Sequence, residues 1–198
     1  MPREKQHVEL YCKLALRRAL LRGCPAGAVY VPFIGDGDIA AELYADRMVY
    51  GADLDPNRSA TARARLPGAQ VLTADCDRWP FAGVTDEFAV ADFDAYAYPY
   101  DSFRAWWANA EKGKRLVVFF TDGEKQASMT AGHSRFPDGS QLVTRGLPAN
   151  QRRADFNFRF TRHCLPWLRT AAAPWRVVRT QVYTRRLMLY WGAVLERK

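Results

Sequence analysis

The sequence has few of the residues that build staple-held folds or metal sites. Its four cysteines, Cys12, Cys24, Cys76 and Cys164, are scattered over 198 residues without paired spacing. That excludes a disulfide framework and a zinc knuckle as organising features. The three histidines, His7, His133 and His163, share no ligand spacing, so no metal is expected. No apolar run approaches the roughly 18–20 residues of a membrane span, and the start from Met1 to Arg22 lacks the apolar centre of a signal peptide. The expectation is a cytoplasmic protein with no membrane partner. Repeats and low-complexity segments are also absent. What is there, 48% hydrophobic and 25% charged residues, is the balance of one globular domain over 1–198.

The net charge of +8 is unevenly placed. Residues 1–35 carry +4, residues 36–94 carry −7 and residues 95–198 carry +11. Of the 29 cations 23 are arginine, a residue suited to phosphate and to stacking. An acidic middle between basic ends fits two ligand preferences in one chain, or a well-solvated surface.

Residues 1–24 form a basic amphipathic helix, with Val8, Tyr11, Cys12, Ala15, Leu16, Ala19 and Leu20 on the apolar side and Lys13, Arg17 and Arg18 on the other. Strands are expected at 28–33, 48–52, 69–73, 88–91 and 116–120, with helices at 38–44, 57–66 and 101–111 between them. This alternation implies a parallel sheet covered on both faces. Residues 122–153 show no sustained period and read as an inserted loop. Residues 156–168 look helical, with Pro166 ending or kinking the helix. Segments 177–183 and 187–195 read as an antiparallel hairpin closing an α/β, doubly wound, mostly parallel seven-stranded sheet.

Between the first strand and the next helix lies Val29-Tyr30-Val31-Pro32-Phe33-Ile34-Gly35-Asp36-Gly37-Asp38-Ile39-Ala40. Two glycines at a strand-to-helix turn let backbone approach a ligand closely and leave free N–H groups. Such a turn serves a dinucleotide or another nucleoside cofactor. Asp36 and Asp38 would repel a pyrophosphate, so the acidic surroundings favour a cation.

These residues resemble the class I (Rossmann-like) S-adenosylmethionine (SAM)-dependent methyltransferases, from Val29 through the closing hairpin. The resemblance implies SAM as cofactor, held by Phe33, Gly35, Asp36 and Gly37 at the first motif. It further implies Asp53 beside Leu54 on the ribose hydroxyls and Asp75 beside Cys76 on the adenine amino group. Val31 stands where the family usually has an acid, which leaves Asp36 or Asp92 to hold the methionine amino group. The terminal hairpin resembles the family's reversed seventh strand. Asp55 and Asp77 read more simply as a helix cap and a loop charge.

After the fourth strand comes Asp92-Phe93-Asp94-Ala95-Tyr96-Ala97-Tyr98-Pro99-Tyr100. It is similar to the Asp-Leu-Asp-Pro-Tyr-Gly-Ser-Pro stretch of the tRNA guanine N2-dimethyltransferases at Asp92, Asp94, Tyr96 and Pro99, and more distantly to the Asp-Pro-Pro-Tyr of amino-group DNA methyltransferases. Methyl transfer is an in-line displacement in which most of the work is positioning. A carboxylate accepting the N–H bonds of an exocyclic amine helps its nitrogen attack, so Asp94 is the first catalytic candidate, Asp92 the next, and Tyr96 a third beside them. The aromatic faces of Tyr96 and Tyr98, with Pro99 beside them, would hold an unstacked base, and Trp106 and Trp107 read as packing. No cysteine lies in this motif, against a pyrimidine C5 mechanism.

Eight cations and four phenylalanines in residues 124–170 suit a phosphate backbone with unpaired bases. Arg135, Arg145, Arg152 and Arg153 are the substrate-binding candidates, and RNA or DNA the expected partner. The reading is thus methyl transfer to a nucleic acid, at a base nitrogen. The alternatives are a small-molecule or protein acceptor, or a nucleic-acid-binding module of the same fold without catalysis.

Overall fold

The computed structural model describes residues 2–96, 98–185 and 188–198, apart from the side chains of residues 2–8, Lys125, Arg153, Ala154 and Asp155. In chain order the elements are α1 (Pro2–Leu21), β1 (Ala28–Pro32), α2 (Asp38–Leu43), β2 (Val49–Asp53), α3 (Pro56–Arg65), β3 (Gln70–Thr73), β4 (Phe88–Phe93), α4 (Tyr100–Asn109) and β5 (Lys112–Asp122). There follow α5 (Glu124–Thr130), β6 (His133–Arg135), β7 (Gln141–Val143), α6 (Ala149–Asn157), a π turn at Phe160–Cys164, α7 (Leu165–Ala171), β8 (Arg176–Arg185) and β9 (Met188–Glu196).

Central strands β1 and β4 are buried along their whole lengths, Asp92 of β4 included, as expected of strands in a doubly covered sheet. Seven strands lie in the order β3-β2-β1-β4-β5-β9-β8. The first five are parallel. β9 runs antiparallel between β5 and β8, pairing Arg115 with Glu196 through to Asp122 with Leu189. The expected seven-stranded sheet with its reversed terminal hairpin is therefore present. Because β2 and β3 lie on one side of β1 and β4 and β5 on the other, the strand order reverses between β1 and β4. Crevices for ligands form at the strand carboxyl ends at such a point.

The two faces are filled differently. One is aliphatic, with Leu16 and Leu20 of α1, Ala40 of α2 and Ala62 of α3 against Val29, Val31, Val49, Val90 and Val117. The other is aromatic, with Phe103 and Trp106 of α4 against Tyr30, Phe88, Phe93, Phe120 and Trp191. Trp106 stacks on Tyr30 at 6.3 Å with 8° between planes, so it is core, as is its neighbour Phe103.

Local signals account for the turns. Asp55 accepts N–H bonds from Asn57 (2.9 Å) and Arg58 (3.4 Å), capping α3 with Pro56 in its first turn. Two segments depart from the sequence reading. Residues 122–153 hold α5, the β6–β7 hairpin and the start of α6, because short elements can be held by packing that no sequence period records. Around Pro166 the helix does not simply stop. Leu165 donates to the Phe160 carbonyl in a π turn, and α7 starts with Pro166 in its first turn, where a missing N–H costs no helical bond.

Candidate active site

The crevice at the carboxyl ends of β1, β2 and β3 is built by backbone. Phe33 and Gly35 both take positive φ, 60° and 57°, a conformation that turns the chain sharply out of β1. Phe33 donates its N–H to the Cys76 thiol at 3.3 Å. Gly35 donates its N–H to Asp53 Oδ2 at 3.0 Å, and Asp55 donates to Asp53 Oδ1 at 2.9 Å. A Cβ on Gly35 would meet nothing within 4 Å, whereas one on Gly37, at φ 81°, would lie 3.2 Å from Ala62 Cα. Gly35 thus faces open space and Gly37 lets α2 approach α3.

Asp53 uses two of its roughly four acceptor positions on these N–H groups, and the rest remain for a ligand. Leu54 beside it is 68% exposed. Asp36 is exposed, and Asp75 is exposed too, receives the Asp77 N–H at 3.0 Å and lies 3.6 Å from Arg78. Asp77 itself is a loop residue whose carboxyl is raised by partial burial and by the carboxylates of Asp101 and Asp75. Open backbone, a half-buried carboxylate on the turn and an exposed leucine fit a nucleoside bearing a cation. One candidate does not face this space: the Cys76 side chain is buried, and burial pushes its thiol up to about 12. Its thiol fastens the β1 turn to the end of β2, lying 3.4 Å from the Ala52 carbonyl.

The ends of β4 and β5 are built by side chains from remote helices. Asp92 is fully buried. Arg17 of α1 holds it with two bonds, Nε to Oδ2 and Nη2 to Oδ1, each 2.6 Å, and the Tyr44 hydroxyl donates to Oδ2 at 2.9 Å. Burial works against the charge on Arg17, but Asp92 and Asp94 outweigh it and keep the guanidinium ionised. Burial, with Asp92 beside it, drives the Tyr44 hydroxyl well above its ordinary range. With both oxygens engaged below the surface, Asp92 is an anchor for α1 and presents nothing to cofactor or acceptor. The sequence placed Arg17 on the solvent side of the helix; it is buried, because Lys13, Leu16, Arg17 and Leu20 share one face at i, i+3, i+4, i+7 spacing. That spacing was the available signal.

Asp94, one residue past β4, stays partly open. Lys13 Nζ lies 2.8 Å from its carboxylate, Thr121 donates to Oδ1, and Arg17 Nη2 is 3.7 Å away. Burial raises the Asp94 carboxyl, and Lys13 and Arg17, with the bonds from Lys13 and Thr121, reverse this and hold it below the usual carboxylate range. Asp94 is therefore an ionised hydrogen-bond acceptor at neutral pH. Tyr96 is 77% exposed and Lys13 Nζ lies 5.6 Å from the centres of both the Tyr96 and Tyr190 rings.

A parallel arrangement closes β5. Asp122 is fully buried, taking bonds from Arg159 Nε (2.7 Å), the Tyr100 hydroxyl (2.6 Å) and the Glu124 N–H (2.9 Å). Arg159 extends to the Ser134 hydroxyl and the Arg135 carbonyl, at 3.3 and 2.5 Å, which fixes the β6–β7 hairpin over the sheet. Tyr98 is part of this structure. Its hydroxyl donates to the Phe136 carbonyl at 2.8 Å, and the Arg135 guanidinium covers its ring at 3.8 Å. A base cannot stack where Arg135 already lies, so Tyr98 locks the hairpin down. Burial raises its hydroxyl to about 12. Pro99 caps α4.

The substrate candidates are dispersed. Arg135 is bound to Asp101 at 3.0 Å, Arg152 is half-buried and lines a small cavity together with Ser128, Phe136 and Thr144, and Arg145 is exposed. The side chain of Arg153 lies outside the described residues. Arg162 and Phe158, both exposed, pair at 4.5 Å. Among the described residues no group of three His, Cys, Asp or Glu could hold a metal ion, and no helix is long and apolar enough to cross a membrane.

No protein-family model matches the sequence, and no curated protein matches it. Many solved structures share the fold. TrmN from Thermus thermophilus is 20% identical with a TM-score of 0.51, over 93% of this chain and 49% of that one, so the chain spans about half the length of that protein. The N-methyltransferase NodS from Bradyrhizobium japonicum is 10% identical with a TM-score of 0.57, over 95% of both chains. Magnesium protoporphyrin IX methyltransferase (ChlM) from Synechocystis, solved with bound S-adenosylhomocysteine (SAH), is 13% identical with a TM-score of 0.55, over 98% of this chain and 83% of that one. The chain has the Rossmann-like fold of these methyltransferases.

Proposed function

We propose that this chain is a SAM-dependent methyltransferase that transfers the methyl group to a nitrogen of a nucleic acid. The observation that carries the cofactor reading is the Gly35–Asp53 contact between the turn after β1 and the end of β2. It leaves Asp53 with acceptor capacity for ribose hydroxyls, Leu54 exposed for the adenine face, and Asp36 and Asp75 in the same acidic rim. When bound, SAM supplies an activated methyl on a sulfonium that is already a good leaving group. The chain's own part is positioning and proton handling. Asp94, held ionised, accepts an N–H of the acceptor amine and so turns its nitrogen lone pair toward attack.

A base nitrogen as acceptor rests on the fourth motif and on the exposed cations Arg145 and Arg162 beside Phe158. A second reading, a small-molecule or protein acceptor, is favoured by Tyr98: with its ring under Arg135 and its hydroxyl on the hairpin, it offers no platform to a base. The fold is shared by the N-methyltransferase NodS and by magnesium protoporphyrin IX methyltransferase, which supports keeping this second reading.

The test has two arms. Calorimetry with SAH should show 1:1 binding to the purified protein, and no binding overturns the proposal. Labelled methyl from SAM is then offered in parallel to total tRNA, rRNA, genomic DNA and a metabolite extract. Label in RNA or DNA supports the nucleic-acid acceptor, and label only in the extract selects the second reading.

A further inference from the structure

The proposed function leaves one arrangement unexplained. Two cations from the N-terminal helix reach into the end of β4 and meet the carboxylates of Asp92 and Asp94. Arg17 fully engages Asp92. Lys13 sits differently: its ammonium is in contact with Asp94 and lies 5.6 Å from the ring centres of Tyr96 and Tyr190, and its side chain, 13% exposed, is not wholly buried as that of Arg17 is. A carboxylate with two aromatic faces is the surrounding that attracts an alkylammonium ion. Here the protein's own lysine fills it. Glu9, the carboxylate one turn earlier on α1, is exposed.

We infer that α1 is part of the acceptor site and that Lys13 is a specificity-determining residue, which fills the cationic subsite on Asp94 and so reserves the remaining acceptor position of that carboxylate for a neutral N–H donor. The inference rests on the methyltransferase reading and narrows its substrate class. The acceptor is an amine uncharged at neutral pH, such as the exocyclic amine of a base, and an alkylammonium ion is excluded. Asp94 has the capacity for both partners, since a carboxylate offers about four acceptor positions and Lys13 and Thr121 do not exhaust them. A cationic acceptor would have to displace Lys13 or lie against its charge, whereas a neutral amine meets a site whose charges already balance. Lys13 acts through Asp94 and is a positioning residue; it need not touch the reacting atoms.

The test uses n-butylammonium as the cationic probe and compares wild type, Lys13→Ala and Lys13→Arg, each titrated by calorimetry with the probe and, separately, with SAH. Lys13→Ala removes both the charge and the side chain that fills the subsite. It should bind n-butylammonium at least tenfold more tightly than wild type, and Lys13→Arg should exclude the probe as wild type does. A role confined to holding α1 in place would change the melting temperatures and leave probe affinity alike in all three proteins. That outcome, or equally tight probe binding by wild type, overturns the inference. The SAH arm separates the two claims. SAH binding to all three proteins with no difference in probe affinity removes this inference and leaves the methyltransferase reading standing. Loss of SAH binding in wild type removes the methyltransferase reading itself.

Discussion

The two sides of the crevice use the same residue type in opposite ways. On the β1–β3 side, Asp36, Asp53 and Asp75 lie at or near the surface, and Asp53 and Asp75 accept from nearby backbone N–H groups, those of Gly35, Asp55 and Asp77. On the β4–β5 side, Asp92 and Asp122 are fully buried and each is met by an arginine, from 75 and 37 residues away in sequence. An aspartate held only by local backbone keeps acceptor positions for a ligand. An aspartate buried against an arginine has spent them on the fold, and its removal from water is tolerable only while the partner is there. The acidic rim therefore belongs to the first three strands, and the acids of the fourth and fifth are mostly counterweights, with Asp94 between the two conditions.

The sharpest way to break this comparison is to strip one partner from each side. Arg17→Met should lower stability by about 3–5 kcal/mol, because Asp92 is left buried and uncompensated, and adding Asp92→Leu should restore most of it. Urea unfolding midpoints measure both, and a loss under about 1 kcal/mol for the single variant would show that Asp92 is not an anchor. Asp53→Ala, by contrast, should cost about 1 kcal/mol or less and reduce SAH affinity by about 10- to 100-fold in calorimetry, the weight of charge-assisted hydrogen bonds to ribose. A large stability loss there would erase the distinction between the sides.

Asp94 supplies a pH test. Its carboxyl is held below the ordinary 3.8, so its ion pair contributes stability that is fully present above that value and is lost as pH falls through the lower folded value. The unfolding midpoint of wild type should drop on acidification from pH 5 to pH 2, and Asp94→Asn should flatten part of that limb. An unchanged limb would mean that Lys13 and Asp94 are not coupled in solution. The smallest effect concerns the hairpin: Tyr98→Phe removes one buried hydroxyl bond to the Phe136 carbonyl, worth about 0.5–1.5 kcal/mol, read from the same unfolding curves.

Much of the β1–β3 side is legible in the sequence because it is local. Strand, two-glycine turn and helix follow one another in Val29–Ala40, Asp53 ends the next strand, and Asp55 caps the helix after it as its spacing to Asn57 indicates. The reading of Trp106 as core follows from its place on an amphipathic helix and agrees with its burial. Misplaced residues are those whose partners lie far away. Their neighbours in sequence suggest cofactor ligands in Asp92 and Cys76 and a base-binding aromatic in Tyr98, whereas in the fold they are engaged by Arg17, Phe33 and Arg135 respectively.

The sequence alone determined the alternation of strands and helices through β5, the reversed hairpin and the composition of the glycine turn, since these depend on periodicity and on backbone preferences acting over a few residues. Tertiary structure decided which carboxylates remain free to serve a ligand. That depends on whether a cation far along the chain is brought within about 3 Å, and hydrogen bonds and buried ion pairs discriminate at that distance while sequence spacing does not.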